Sequence, residues 1–285
     1  MGGHFVSFDI IELIKYILSG LIQGVTEVLP VSSSGHVELS KALLGLKTDD
    51  NTFFLIFLNT GSLATFIIIY FKRLLRYAKA FFNFVFYPSK REENKQDTVF
   101  LMKILVACIP AGIAGILIKD YLDEMLDANG LLIAGIGLLV TATVIYYVSS
   151  SKFRNGKTQV TWPDVLFVGL AQAVAIFPGI SRSGMTTSTA LKRGSGIVSA
   201  LDFSFLMYIF ISLGTVLLGV YDLTQATVSI SNPQLIYYGG AFVAAMGATY
   251  IAYRIIFNVF KSGKLKYFSY YCFTAGILSI ILFMM

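Results

Sequence analysis

The stretches GLIQGVTEVLPVSSSG (residues 20–35) and GLAQAVAIFPGISRSG (residues 169–184) decide the fold, because they are two copies of one interrupted helix. They align without a gap at an offset of 149 residues, the difference between 169 and 20. The identical pairs are Gly20/Gly169, Leu21/Leu170, Gln23/Gln172, Val25/Val174, Ser32/Ser181, Ser34/Ser183 and Gly35/Gly184. Each copy is apolar but contains proline and a serine-rich turn, which end a helix before it can cross a membrane.

The composition around these copies indicates a membrane protein. Of 285 residues, 56% are hydrophobic and only 13% are charged, whereas soluble domains carry about 25% charged residues. Although the formal charge is +6, the basic residues lie in short loops, as membrane topology requires. The sequence therefore predicts membrane lipids as the surroundings and no nucleic acid as a partner.

Six apolar runs are long enough to cross a bilayer, which takes about 20 residues. They lie near residues 52–71, 99–118, 131–148, 199–220, 235–257 and 267–285. The loops at 72–98, 152–157 and 254–266 are rich in lysine and arginine, and those at 119–130 and 221–234 are not. By the positive-inside rule the first three are cytoplasmic and the other two lie outside.

This topology fixes the two remaining segments as re-entrant helical hairpins. Residues 161–198 must enter and leave on the cytoplasmic side, and residues 8–46 on the outer side. We predict an all-α polytopic protein with six transmembrane helices and two re-entrant hairpins in an inverted-topology repeat. It forms one membrane domain, with repeat 1 at about 8–148 and repeat 2 at about 161–285. In such repeats the interrupted segments meet at a site near the midplane.

The first interrupted segment carries a carboxylate, hydroxyls and an imidazole. Gln23 and Glu27 share one helical face, and Ser32, Ser33 and Ser34 precede a helix that contains His36. Ionisable groups inside a membrane are costly and usually functional. A second interpretation is that the serines only cap the helix and that Glu27 lies at the membrane interface.

The second interrupted segment carries a cation among hydroxyls. Arg182 lies between Ser181 and Ser183, and Thr186 follows in the next helical turn. A guanidinium matches phosphate oxygens, and the helix N-terminus adds N–H donors. The alternative is that Arg182 only marks a membrane boundary. Together the two segments hold the groups that phosphoryl transfer needs, namely a nucleophile, a proton carrier, a carboxylate and a cationic clamp.

At these motifs the sequence resembles the bacterial undecaprenyl-diphosphate phosphatases. That family has an (E/Q)xxxE element followed by P-V-S-S-(S/T)-G-H, and later P-G-x-S-R-S-G-x-T. Here they read Gln23 to Glu27, Pro30 to His36, and Pro178 to Thr186. The length and hydropathy also match, so the resemblance covers essentially the whole chain.

The resemblance implies that the chain hydrolyses undecaprenyl diphosphate to undecaprenyl phosphate and inorganic phosphate in the plasma membrane. This reaction recycles the lipid carrier for peptidoglycan, and the family is linked to bacitracin resistance. The resemblance also implies an active site open to the outer face and a divalent cation, Mg²⁺ or Ca²⁺. Gln23 stands where many members have glutamate, which removes one candidate metal ligand and leaves Glu27.

By position, the resemblance makes Glu27, Ser33, His36 and Arg182 the catalytic set. Substrate-binding residues are then Gln23, Ser32, Ser34, Ser181, Ser183 and Thr186. We expect Ser33 to attack the terminal phosphorus with His36 as its base, while Glu27 orients His36 or holds the metal. In the alternative mechanism water attacks and Ser33 is only a ligand.

Two other functions are consistent with the residues. A polyprenyl-phosphate flippase or transporter would use the same inverted repeat and anion site. A purely structural membrane protein would leave Glu27, His36 and Arg182 unexplained. A homodimer is consistent with the residues.

Overall fold

The computed structural model describes residues 8–46, 51–149, 156–225, 232–262 and 264–285. Within these ranges the chain is helical, without strands. The helices are α1 (Ile10–Val28), α2 (Ser33–Leu44), α3 (Asn51–Phe86), α4 (Arg91–Ser149), α5 (Trp162–Val174), α6 (Arg182–Lys192), α7 (Ile197–Gln225), α8 (Asn232–Lys261) and α9 (Leu265–Met284).

The six predicted spans are confirmed. In the described residues, six helical segments are long and apolar enough to cross a membrane. They are Phe54–Phe86, Pro88–Leu122, Ala128–Ser149, Ile197–Tyr221, Pro233–Phe260 and Leu265–Met284. The second and third belong to α4, which changes direction at Asn129, where φ is −144° and ψ is 31°.

Three predicted loops are largely helical instead. In the region 72–98, α3 continues to Phe86, a 3₁₀ turn covers Pro88–Lys90, and α4 begins at Arg91. The region 119–130 belongs to α4 on both sides of its kink, and in 254–266 the α8 helix continues to Lys261 and α9 begins at Leu265. Lysine, arginine and glutamate are good helix formers, so a helix continues past the lipid boundary although its hydropathy falls. Residues 152–155, 226–231 and 263 of the predicted loops lie outside the described residues.

The two interrupted segments are helical hairpins. The first joins α1 and α2, and the second joins α5 and α6. The α2, α5 and α6 helices have 12, 13 and 11 residues, so at about 1.5 Å per residue they are much shorter than the roughly 30 Å hydrocarbon core. Their entry from opposite membrane faces stays a prediction, as do the exact limits of the two repeats.

The hairpins pack on long helices through glycines. The α1 helix lies against α8, and the α5 helix against α4. A Cβ added at Gly20 would lie less than 2.5 Å from the carbonyl oxygen of Ala241, and one at Gly169 would lie 2.7 Å from that of Ala107. The identical pair Gly20/Gly169 therefore has the same packing role in both halves.

The base of the second hairpin is held by Asp164, whose side chain is fully buried. Its Oδ2 accepts hydrogen bonds from the backbone N–H of Thr161 (3.0 Å) and from the Thr161 hydroxyl (2.6 Å). Its Oδ1 accepts a hydrogen bond from Nε of Arg193 at 3.0 Å. The start of α5 is thereby fixed to the end of α6.

Candidate active site

The two serine turns meet, as the repeat predicts. The Ser183 hydroxyl donates to the carbonyl oxygen of Leu29 at 3.1 Å, and the N–H of Gly179 donates to the Ser34 hydroxyl at 3.4 Å. Gly179 has a φ of 84°, and a Cβ there would collide with the carbonyl group of Ala134. Only glycine therefore lets the second turn approach α4 this closely.

The turns are built in the same way. The Ser32 side chain accepts from the N–H of Gly35 at 3.4 Å, and the Ser181 side chain accepts from that of Gly184 at 3.0 Å. These N-caps start α2 and α6. As a result, Ser33 and Arg182 are each the first residue of a short helix. Ser32 also has a φ of 69°, a strained value for a residue other than glycine.

Glu27 is the centre of the site and is buried. Its Oε2 accepts hydrogen bonds from Nε2 of Gln23 at 2.8 Å and from the Ser33 hydroxyl at 2.7 Å. Its Oε1 accepts from Nη2 of Arg182 at 2.5 Å. The structure thus joins a carboxylate and a serine of the first hairpin to a guanidinium of the second.

Two residues of α7 hold Arg182 in place. Its Nη1 donates to the Ser212 hydroxyl at 3.1 Å, and its guanidinium lies over the Tyr208 ring, 4.3 Å from the centroid. The Tyr208 hydroxyl in turn donates to Oδ1 of Asn59 at 3.0 Å. None of these three residues was predicted from the sequence. The signal that could have found Asn59 and Ser212 is their polarity inside apolar spans.

His36 is buried near the serine turn but faces away from Ser33. Its Nδ1 lies 2.7 Å from the carbonyl oxygen of Ser32, and its Nε2 lies 2.8 Å from the Tyr271 hydroxyl. Because a carbonyl only accepts, Nδ1 carries the hydrogen in a neutral imidazole, and Nε2 accepts from Tyr271. We expected His36 to act as the base for Ser33 and to be oriented by Glu27. In the structure, however, its two ring nitrogens contact Ser32 and Tyr271 instead.

The Thr186 hydroxyl binds the backbone of Arg182 and does not reach the cavity. Its hydroxyl donates to the carbonyl oxygen of Arg182 at 2.8 Å and lies 2.6 Å from the Ser204 hydroxyl. In these contacts it supports the first turn of α6. Neither Thr186 nor His36 belongs to the cavity wall described next.

A cavity of about 700 Å³ borders the point where the two turns meet. The other predicted site residues line it, namely Gln23, Glu27, Ser32, Ser33, Ser34, Ser181, Arg182 and Ser183. Its remaining wall is largely apolar and comes mainly from α3, α4 and α7. The cavity wall thus combines the polar and charged groups of the two turns with a largely apolar surface, in which Glu38 and Lys119 are further charged residues.

The carboxylate ligands for a metal are few. Within the ranges that the structure describes, no three histidine, cysteine, aspartate or glutamate side chains group in a way that could hold a metal ion. Both oxygens of Glu27 already accept hydrogen bonds. This donor set does not fit a cation held by the protein alone. It fits a cation that shares phosphate oxygens as ligands, with Glu27 and the Ser33 hydroxyl available beside it.

Comparison with known proteins agrees with the geometry. Residues 16–278 match the family described as "Bacitracin resistance protein BacA". The chain is 40% identical over 273 residues to "Undecaprenyl-diphosphatase 2" of Bacillus thuringiensis (strain Al Hakam), covering 94% of this chain and 97% of that protein.

Two further relatives bear the name "Undecaprenyl-diphosphatase". The protein of Oceanobacillus iheyensis is 38% identical over 271 residues, which is 94% of this chain and 96% of the relative. The protein of Acholeplasma laidlawii is 38% identical over 283 residues, which is 96% and 98% of the two chains. The chain therefore belongs to the bacitracin resistance protein BacA family.

Proposed function

We propose that this chain is an integral membrane phosphatase that hydrolyses undecaprenyl diphosphate to undecaprenyl phosphate and inorganic phosphate, recycling the lipid carrier for cell-wall synthesis. The observation that carries the proposal is the contact of Ser33 and Arg182 with Glu27 across the two hairpins. The names of the relatives support the same reaction and substrate.

The cavity suits a lipid with a charged head. The diphosphate matches the end that holds Arg182 and the capped starts of α2 and α6, where N–H groups and a guanidinium favour negative charge. The polyprenyl chain matches the apolar walls. Gly112 and Gly115 of α4 and Gly214 of α7 line the cavity, and a Cβ on any of them would meet no atom within 4 Å. These glycines leave room for the chain.

In the mechanism we favour, Ser33 is the nucleophile and Glu27 is its base. The Ser33 oxygen attacks the terminal phosphorus, its proton passes to Glu27, and the bond to the bridging oxygen breaks to release undecaprenyl phosphate. Water then hydrolyses the phosphoserine, which releases inorganic phosphate and restores Ser33. Arg182 stabilises the negative charge of the phosphoryl oxygens. The 2.7 Å contact between Ser33 and Glu27 supports this assignment.

His36 then serves as a positioning residue. Through Nδ1 it binds the carbonyl oxygen of Ser32, the residue immediately before the nucleophile. This contact fixes the strained backbone at Ser32 and with it the direction of Ser33.

Attack by water with Ser33 as a ligand is the competing mechanism. A Ser33→Ala variant that keeps full activity would eliminate the phosphoserine route. A phosphorylated Ser33, trapped by rapid acid quench and detected by mass spectrometry, would support it. The matched control is Ser40→Ala, which removes a hydroxyl of the same helix that does not line the cavity and should leave the Ser33 signal in place.

A divalent cation, Mg²⁺ or Ca²⁺, is part of the proposal as an ion that the substrate brings. Glu27 and the Ser33 hydroxyl would supply its protein ligands. When bound, such an ion neutralises charge on the phosphoryl oxygens. Removal of divalent ions with EDTA should abolish phosphate release, and titration of Mg²⁺ or Ca²⁺ should restore it. Full activity in EDTA would contradict a cation requirement.

We assign the cavity mouth to the outer face of the plasma membrane. The support is that Lys119, Leu122 and Leu126 of the predicted outer region 119–130 line the cavity. No lining residue comes from 72–98 or 254–266, whose excess of lysine and arginine puts them in the cytoplasm by the positive-inside rule. Labelling of single cysteines in intact cells would test this. The homodimer stays a prediction, and no observation on the described residues favours a flippase.

The reaction itself is tested with purified protein in detergent. Wild type should release phosphate from undecaprenyl diphosphate, whereas Arg182→Ala should not, at equal folded concentration. No phosphate release by the wild-type protein, with divalent ions present, would refute the proposed function. Because hydrolysis needs no second compartment, the assay also separates it from transport.

A further inference from the structure

Gln172 is a buried amide without a hydrogen-bond partner among the described residues. It lies on α5, and only 2% of its surface is exposed. Neither Nε2 nor Oε1 of its side chain has a hydrogen-bond partner in the part of the chain that the structure describes. A glutamine amide has two donors and one acceptor that need partners. Since almost all buried polar side-chain atoms in folded proteins are hydrogen-bonded, this one requires an explanation.

The repeat shows why Gln172 lacks a partner. It corresponds to Gln23 at the offset of 149 residues, and Gln23 donates to Glu27, four residues later on the same helix. The residue that corresponds to Glu27 is Ile176, which offers no polar atom. The second half has therefore kept the amide without the carboxylate.

The surroundings of Gln172 are those of the proposed substrate head. Gln172 is one of the residues that line the same cavity as Arg182. The Cys108 thiol contacts Gln172 and lies within range of the charge of Arg182. However, that thiol donates to the carbonyl oxygen of Met207 at 3.6 Å, and sulfur is a weak acceptor. The amide thus belongs to the cavity that holds the guanidinium and has no strong hydrogen-bond partner of its own.

We propose that Gln172 is a further substrate-binding residue, whose Nε2 donates a hydrogen bond to an oxygen of the diphosphate. This inference rests on the proposed function. In the structure Arg182 pairs with Glu27, and the amide atoms of Gln172 are shielded from water. An incoming diphosphate competes with Glu27 for the guanidinium. In this proposal Arg182 then moves, which lets the phosphate oxygens reach the amide.

The test compares wild type with Gln172→Leu, which removes the amide and nearly keeps the volume. Loss of one hydrogen bond to a charged group should raise KM for undecaprenyl diphosphate at least about tenfold, with kcat within about threefold of wild type. The apparent Tm in detergent should stay the same or rise, because no partner within the protein is lost.

Thr187→Val is the matched control. Thr187 also carries a buried side-chain oxygen without a partner among the described residues, but it does not line the cavity. Its replacement by valine should leave both KM and kcat unchanged. A tenfold rise of KM in this variant as well would show that the assay reports packing, and it would overturn the proposal.

Two further outcomes would overturn the proposed role. One is a wild-type KM in Gln172→Leu, and the other is a clear fall of its Tm, which would show that the amide has a structural partner such as a buried water. Thermal shift with inorganic diphosphate is independent of turnover. Suppose that the wild-type protein releases no phosphate, and that inorganic diphosphate raises the Tm of the wild-type protein but not that of Gln172→Leu. The proposed reaction is then refuted, whereas the binding role of Gln172 stands.

Discussion

Glu27 and Arg182 form an ion pair that joins the two hairpins. Glu27 has a side-chain exposure of 6% and Arg182 one of 25%, so neither charge is fully hydrated. Removal of one partner from a buried pair leaves an uncompensated charge, which costs about 3–5 kcal/mol. The pair should therefore matter for folding as well as for chemistry.

We expect Arg182→Met to abolish activity and to destabilise the protein by about 3 kcal/mol, because Glu27 loses its cation. Adding Glu27→Gln should recover most of the lost stability but none of the activity. Thermal unfolding in detergent and phosphate release measure the two effects separately. If the double variant is as unstable as Arg182→Met, the loss comes from packing of the arginine rather than from the buried charge.

Tyr271 should influence catalysis through His36. Tyr271→Phe removes the hydroxyl that binds Nε2 of His36, so the imidazole loses a bond worth about 1 kcal/mol. We expect kcat to fall several-fold, with KM little changed, as the Ser32 turn becomes less fixed. Tyr267→Phe, at an exposed tyrosine of the same helix, should have wild-type kinetics. Equal effects of the two variants would argue against the coupling.

The sequence predicted which residues lie together better than how they pair. The repeated turns bring Glu27, Ser33 and Arg182 together because the hydrogen bonds of both turns are local. The family resemblance suggested Ser33 and His36 as a pair, but it could not show that the imidazole binds the Ser32 carbonyl instead. Tyr271 was not predicted, since nothing local links it to a residue 235 positions away.

At the level of helices, close glycine contacts determine how the hairpins sit on the long spans. Gly20 and Gly169 lie where backbone of α8 and α4 approaches most closely, so even one methyl group would collide with a carbonyl oxygen. Small residues at such contacts are what allow membrane helices to approach each other.

Gly20→Ala and Gly169→Ala should each destabilise the protein by about 1–3 kcal/mol, because overpacking forces a helix to move. Both should also lower activity, since α1 and α5 carry the turns. The control is Gly247→Ala on α8, where an added Cβ meets no atom within 4 Å. It should be neutral or slightly stabilising. Thermal unfolding of all three variants decides the question, and equal midpoints would disprove tight packing.

The number of spans followed from the sequence, whereas their ends did not. A hydropathy window of about 20 residues detects the stretch inside lipid. It ends near residue 71 although α3 extends to Phe86. The helix continues because its backbone hydrogen bonds do not depend on lipid, and residues such as Arg73 and Lys79 are compatible with helix at the membrane surface.

In the whole molecule, the cavity combines the charged groups of the two turns with a largely apolar wall. Gly115→Leu should fill space in that wall, since a Cβ at Gly115 meets no atom within 4 Å. We expect kcat/KM for undecaprenyl diphosphate to fall about tenfold, in line with the 1–3 kcal/mol typical of overpacking. Farnesyl diphosphate, whose chain is much shorter, should be less affected.

Gly247→Leu is the matched control for this prediction. Gly247 also has open space around an added Cβ, but it does not line the cavity. The variant should hydrolyse both substrates at the wild-type rate. An equal loss on the long and the short substrate in Gly115→Leu would show that the polyprenyl chain lies elsewhere.

Ser33 and Arg182 occupy equivalent positions in the two halves. They lie 149 residues apart, each at the first position of its helix, α2 or α6. A symmetric ancestor made of two identical halves would have carried the same side chain at both positions, either two hydroxyls or two guanidiniums. In the proposed mechanism each half has since specialised, one supplying the reactive oxygen and the other the positive charge. Neither half alone, nor a dimer of one half, could reproduce this division of labour.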